Sequence, residues 1–245
     1  MRVEPASSLS SARLAPMLAL LAQHRVLGAV PEAEWSPLLR QSNVVSAQPR
    51  ERLFAHGDKG RTVVLVLEGF LKLSMTTLAG REVVYELVGP GSVFGELAVL
   101  NDWPRSADAV ALSPCRVLSV HGDGFRRVLV RSPEALLGLV QLLSGRLRAV
   151  SERMTDGLDL PAPARLAKAL LQLAALHSHP VPEGLRIDIQ LSQRELGAIT
   201  GLTRESINKQ LAAWRDDSWV HVSDRYVTVL DVASLREVVA SGELI

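Results

Sequence analysis

Cysteine is nearly missing from this chain: Cys115 is the only one in 245 residues. One thiol excludes an internal disulfide, a cysteine-based zinc site and a four-cysteine iron–sulfur cluster on a single chain. It fits a reducing cytoplasm, which is the expected location. A charge excess is missing too. Lys and Arg total 27 against 26 for Asp and Glu, a formal net charge of +1. Affinity for nucleic acid, if there is any, must therefore come from a local arrangement of charge. No apolar run approaches the roughly 20 residues that span a bilayer, so no membrane partner is expected. Gly89, Gly91 and Gly95 do not fit the G-x-G-x-x-G spacing, no Walker A sequence occurs, and no β-α-β alternation is visible. Metal-ligand clusters, nucleophile–base spacings and two-metal carboxylate sets are absent as well, so enzymatic function is not expected. What is present is ordinary for a globular protein with a real core: 47% hydrophobic and 22% charged residues, enough chain for one large domain or two small ones.

Residues 1–30 read as an N-terminal extension. The first dozen, rich in Ser and Ala, are expected to be loose. Arg13 to Ala22 resembles the apolar part of a signal peptide, but it contains Pro16, runs into Gln23-His24-Arg25 and lacks a small-residue cleavage site. A short packed helix is the expectation there. From about Val44 to Val120 the chain is strand-like. Thr62–Leu67, Phe70–Met75, Glu82–Leu87 and Arg116–Val120 are short, rich in β-branched residues and separated by glycine turns. That spacing suggests an antiparallel sandwich or barrel over residues 31–132.

The period then changes. Leu136, Val140, Leu143, Leu147, Val150 and Met154 step by four and three, a heptad seam along a helix over 133–158. Two readings fit. One is a core helix; the other is a parallel two-stranded coiled coil between identical subunits, with Leu137, Leu139 and Leu142 packing the first half onto its own barrel. Leu158-Asp-Leu-Pro-Ala-Pro163 ends the helix, because proline removes a donor yet suits the first turn of the next helix. Residues 159–245 form a second domain. A helix is expected from Ala164 to Leu176, followed by a loop over His177–Gly184. The two histidines of that loop, His177 and His179, read either as a metal site or as ordinary solvated side chains.

The second domain carries a sharper pattern. Ser192-Gln-Arg-Glu195 is a capping box. Gly201 can end the short helix that follows, and Thr203 can cap the next one, which reaches about Asp216. Helix, glycine turn and capped helix make a helix-turn-helix. On its second helix Ile207, Leu211 and Trp214 share one face, while Arg204, Glu205, Asn208 and Lys209 share the other. A recognition helix needs that distribution, because its N-terminal half enters the major groove and Arg, Lys or Glu there can read base edges. Ser192, Gln193, Thr203 and Ser206 complete the candidate DNA-facing set. A solvated charged face is the competing reading. Trp219–Val222 and Tyr226–Val229 look like the hairpin wing of a winged helix. Acids and bases nearly balance from Ala162 onward. Affinity for random DNA should therefore be weak, and two recognition helices on a dimer would be needed.

One last stretch joins these parts. Gly91-Ser-Val-Phe-Gly-Glu-Leu-Ala98 followed by Pro104-Arg-Ser-Ala107 resembles the phosphate-binding cassette of cyclic-nucleotide-binding domains. With the long helix and the helix-turn-helix behind it, the chain resembles the CRP/FNR family of bacterial transcription regulators over about Ala33–Leu230. The resemblance implies an α+β fold: an N-terminal antiparallel β-roll, a long dimerisation helix and a C-terminal winged helix-turn-helix. It also implies a homodimer through 133–158, a palindromic operator DNA and RNA polymerase as partners. The effector would be a cyclic nucleotide, cAMP first, with cyclic di-GMP or an empty, structural cassette as alternatives. A guanidinium offers forked donors to a cyclic phosphate, a carboxylate accepts from a ribose 2′-OH, and a hydroxyl and backbone N–H groups complete the nest. Arg105 and Ser106 would hold the phosphate, Glu96 the ribose, Gly95 would let the backbone come close, and Leu97 counts among the ligand-binding residues. A Glu96–Arg105 ion pair without ligand is the competing reading. At the base end Arg146 and Ser151 match family positions of the long helix, while Val150 stands where the family has a threonine hydroxyl.

Overall fold

A computed structural model describes residues 1–8, 17, 19–22, 24, 26–28, 30 and 32–242. The chain divides into two compact units, residues 1–75 with 86–148, and residues 76–85 with 149–245. Among the described residues no single helix is long and apolar enough to cross a membrane.

Two antiparallel sheets make up most of the first unit, residues 82–85 of the second sheet's edge strand being grouped with the second unit. β1 (Arg2–Pro5), β2 (Ser42–Ala47), β4 (Thr62–Glu68), β7 (Val93–Phe94) and β9 (Cys115–His121) form one sheet in the order β1-β2-β9-β4-β7. β3 (Arg52–Phe54), β5 (Leu71–Thr76), β6 (Glu82–Val88) and β8 (Asp108–Ala111) form the other in the order β3-β8-β5-β6. The central strands explain themselves. β4 reads Thr-Val-Val-Leu-Val-Leu-Glu, and successive strand residues face opposite sides. Val64 and Val66 enter the core between the sheets, with Phe94, Val117, Leu71, Val88, Ala109 and Ala111. Val63, Leu65 and Leu67 enter a second core, closed by Phe125, Val128 and Leu129 of α3 (Gly122–Arg131) and by Ala135 and Leu139 of α4 (Pro133–Asp159). A strand buried on both faces must be a continuous apolar run. Each large side chain so buried stabilises the unit by about 1.5–3 kcal/mol.

Two expectations are corrected here. The first residues are not loose: Arg2–Pro5 pairs with β2, Val3 lying opposite Val45. The strand-like region also contains a helix, α2 (Glu96–Asn101). Of the helix expected at 13–22, only Met17 and residues 19–22 are described, and these are helical; the rest lies outside the described residues. α1 (Glu32–Arg40) precedes β2.

α4 buries Ala135, Gly138 and Leu139, and Leu142 and Leu143 pack partly on the same core. Leu137, expected on that side, is exposed. The seam residues Leu136, Val140, Leu147, Val150 and Met154 stay exposed, Leu147 and Met154 by 69% each.

The second unit holds α5 (Ala162–Leu176), α6 (Gln193–Thr200), α7 (Arg204–Asp216) and α8 (Val232–Gly242) against a sheet ordered β10-β11-β13-β12. These strands are β10 (Ser178–Val181), β11 (Gly184–Ile187), β12 (Val220–Ser223) and β13 (Tyr226–Val229). The stretch expected as a loop after α5 is thus a hairpin, and Nδ1 of His179 lies 2.5 Å from Oδ1 of Asp188, within hydrogen-bond distance. Leu166, Ala167 and Leu170 of α5 are buried, as are Leu196, Ile207, Leu211 and Trp214. Trp214 stacks on Trp219 at 6.4 Å between ring centroids. At the tip of the β12–β13 hairpin Asp224 and Arg225 both take positive φ, 51° and 66°, the geometry that suits a two-residue turn between twisted strands.

Candidate functional site

The cassette is a turn between a strand and a helix. β7 ends at Phe94, Gly95 takes φ 82° and ψ 7°, and α2 begins at Glu96. Glycine suits position 95 for two reasons. The left-handed backbone disfavours any Cβ, and a Cβ there would lie 2.4 Å from Nη1 of Arg105. The space is therefore taken by the chain's own arginine.

Glu96 and Arg105 are 2% and 5% exposed, but they do not pair with each other. Arg105 donates from Nη1 to the Gly95 carbonyl at 3.0 Å and from Nη2 to Oγ1 of Thr62 at 3.0 Å. Its guanidinium lies 4.1 Å from the ring centroid of Phe54, which in turn contacts Phe94. Its backbone N–H donates to the Asp58 carbonyl, and its own carbonyl accepts from Gly57. Burial pushes the Arg105 pKa down, against the opposing pull of Glu96 and Asp58.

Glu96 is bound instead to Arg146 of α4. Nη1 of Arg146 donates to Oε1 of Glu96 at 2.8 Å, Nη2 donates to the Val93 carbonyl at 2.6 Å, and Nε lies 2.9 Å from Oε2 of Glu86. Burial opposes the Arg146 charge, but the Glu96 and Glu86 carboxylates outweigh it and the pKa rises. Three buried polar atoms around the cassette lack a hydrogen-bond partner among the described residues: Oε2 of Glu96, Nε of Arg105 and Nε of Arg146. The last still faces the Glu86 carboxylate as an ion pair, off the hydrogen-bond direction. The other two have no such compensation. Unpaired buried polar atoms are costly and uncommon. Here one is an acceptor and the other a donor, on side chains nine positions apart in sequence.

The first unit thus brings Gly95, Glu96, Arg105 and Arg146 together. Ser106 and Leu97 are exposed beside them, Leu97 by 38%. Val150 and Ser151 lie farther along α4 and are exposed. Thr62, Phe54 and Glu86 escaped the sequence reading, because each is an ordinary strand residue whose role comes from a partner far along the chain.

In the second unit the capping box forms as read: Ser192 accepts from the Glu195 N–H, and Glu195 accepts from the Ser192 N–H at 2.7 Å. Gly201 ends α6 at φ 69°. Thr203 caps α7 by accepting from the Ser206 N–H, and their hydroxyls lie 2.9 Å apart. Arg204, Glu205, Asn208 and Lys209 are exposed together on the first turns of α7. Gln193 bridges the two helices, donating to Asn208 at 2.9 Å and accepting from Arg204 at 3.4 Å. The polar face is therefore partly preorganised across the turn.

Comparison with known proteins separates the same two parts. Residues 44–132 match the cyclic nucleotide-binding domain family, and residues 164–238 match the Crp-like helix-turn-helix domain family. The chain is 32% identical to the cyclic AMP receptor protein of Thermus thermophilus, over 76% of this chain and 83% of that one. It is 28% identical to a CRP-like cAMP-activated global transcriptional regulator of Mycobacterium tuberculosis, over 86% of this chain and 95% of that one. Among solved structures, a CRP-family transcriptional regulator from Thermus thermophilus superposes with a TM-score of 0.68 at 25% identity, covering 80% of this chain and 96% of that one.

Proposed function

Since this chain belongs to the CRP/FNR family of transcription regulators, with a cyclic nucleotide-binding domain and a Crp-like helix-turn-helix, we propose that it is a homodimeric, sequence-specific DNA-binding regulator gated by a cyclic nucleotide, cAMP first. The observation that carries the gating is the pair of unsatisfied buried atoms, Oε2 of Glu96 and Nε of Arg105. A cyclic nucleotide supplies what each lacks. Its ribose 2′-OH donates to the carboxylate, and its phosphate oxygens accept from the guanidinium, with the exposed Ser106 hydroxyl as a further donor.

Dimerisation rests on α4. Its seam of Leu136, Val140, Leu147, Val150 and Met154 repeats at heptad spacing and stays exposed in the single chain. A second copy would cover it and place two recognition helices on a palindromic operator. Arg146 sits on the same helix and holds Glu96, so ligand at Glu96 acts directly on the helix that pairs the subunits. Gating then requires the effector to favour the DNA-competent state over the other. RNA polymerase is the partner proposed for the DNA-bound dimer, by family membership alone.

A second reading has an observation of its own. Both terminal nitrogens of Arg105 are already engaged by Gly95 and Thr62, and Phe54 covers its face. A cassette so well packed also suits a constitutive regulator with a structural pocket. Fluorescence anisotropy on a palindromic operator decides between them. Tighter binding with cAMP supports gating. Equal binding with and without cAMP, cGMP and cyclic di-GMP supports the constitutive reading.

A further inference from the structure

Arg146 is held by two carboxylates, and only one of them belongs to the cassette. Glu86, on β6, lies along the other edge of the guanidinium: Oε2 is 2.9 Å from Nε, and Oε1 accepts from Nη2 at 3.4 Å. The first contact is close but not aligned as a hydrogen bond, and the second is long. Glu86 is therefore held to Arg146 chiefly by charge. The Glu86 side chain is 35% exposed and that of Arg146 22%, whereas that of Glu96 is 3% exposed. Glu86 sits on the more open side of Arg146, and Glu96 on the closed side. Beside Arg105 and Arg146 stand three carboxylates, Glu86, Glu96 and Asp58, so the pocket is not net cationic. An anionic ligand meets a pocket whose second cation is already neutralised.

We propose that Glu86 competes by charge with an anionic nucleotide and so sets the effector threshold: its carboxylate offsets the Arg146 charge and keeps the pocket from being net cationic. The proposal rests on the effector-pocket reading given above. It differs from a supporting role in the sign of its effect. If Glu86 only propped Arg146 in place, its loss would weaken ligand binding. As a competing charge, its loss strengthens binding, because a neutral side chain removes one negative charge at short range. Glutamine is the informative replacement, since it keeps the length and one acceptor for Arg146 and removes only the charge.

The test is isothermal titration of the full-length protein with cAMP, and in parallel with cGMP, at low and high salt. Glu86→Gln should bind the nucleotide about five- to tenfold more tightly than wild type at low salt, with the gain shrinking as salt screens the pocket. Glu86→Ala should move in the same direction, and Glu86→Asp, which keeps the charge, should stay near wild type. Wild-type binding together with unchanged or weaker binding in both neutral variants overturns the role of Glu86 and leaves the pocket reading intact. Failure of wild type and all variants to bind either nucleotide overturns the pocket reading, and this inference with it.

Discussion

Glu96 and Arg105 carry their charge inside the roll, 2% and 5% exposed, whereas Arg204, Glu205 and Lys209 carry theirs on the open face of α7. The two surfaces solve opposite problems. A buried charge loses several kcal/mol of hydration and is tolerated only with close partners. The roll supplies them: Arg146 for Glu96, and Gly95, Thr62 and Phe54 for Arg105. As an effector pocket it would be selective, because a ligand would have to replace those contacts in detail. The α7 face stays hydrated and needs only a firm scaffold, which the capping box, Gly201 and the buried Ile207–Leu211–Trp214 stripe provide. As a DNA-reading face it would draw its affinity from phosphate and base contacts and so depend strongly on salt.

The largest expected effect breaks the buried side of this contrast. Arg105→Ala should lower nucleotide affinity by about 100-fold or more, since it removes a charge-assisted contact to the phosphate. Calorimetry measures the loss directly, while anisotropy should show effector-free DNA binding unchanged. Next comes the exposed side. Arg204→Ala should weaken operator binding by about 1–3 kcal/mol and relax preference at one base pair of each half-site; competition with single-base operator variants checks it. A uniform loss across all sequences would make Arg204 a phosphate contact instead. Smaller again is the scaffold. Ser192→Ala should destabilise the second unit by about 1 kcal/mol through loss of the capping box, read from urea unfolding.

The last effect concerns pH and belongs to the roll alone. Nδ1 of His24 accepts from the Val26 and Leu27 N–H groups, so it is unprotonated there. Burial, and then the Arg146 charge, push its pKa down to about 4 from an ordinary 6.5. Between those values the unfolded chain binds the proton and the folded chain does not. Stability should therefore decline as pH falls from about 6.5 toward 4 and be insensitive to this group above 6.5. Urea midpoints across that window should fall less steeply in His24→Gln than in wild type.

Much of both surfaces could be read in advance, and for different reasons. The capping box, Gly201 and the α7 stripe are local patterns whose partners lie within a few residues, and all three form as read. The cassette was visible as a run of residue types, but its wiring was not. Glu96 and Arg105 are nine positions apart, and a direct pair between them was a natural alternative. The fold gives Glu96 to Arg146, fifty residues on, and gives Arg105 to Thr62, forty-three residues back. Glu86 showed nothing at all, since a charged residue in a strand looks like one on its solvent face. The helix at Glu96–Asn101 was hidden among strands because six residues are too few to show a helical period. The hairpin at Ser178–Ile187 was hidden because Pro180 and the histidines favour a loop, and pairing of β11 with β13 overrides that local preference.

Residue order alone determined the caps and turn of the helix-turn-helix and the heptad stripe along α4, because each depends on neighbours within about one or two helical turns. Tertiary structure decided which charges meet. Ion-pair partners are chosen by proximity in space, and burial makes that choice strict: once Glu96 and Arg105 lose water, only side chains carried in by distant strands and by α4 can satisfy them.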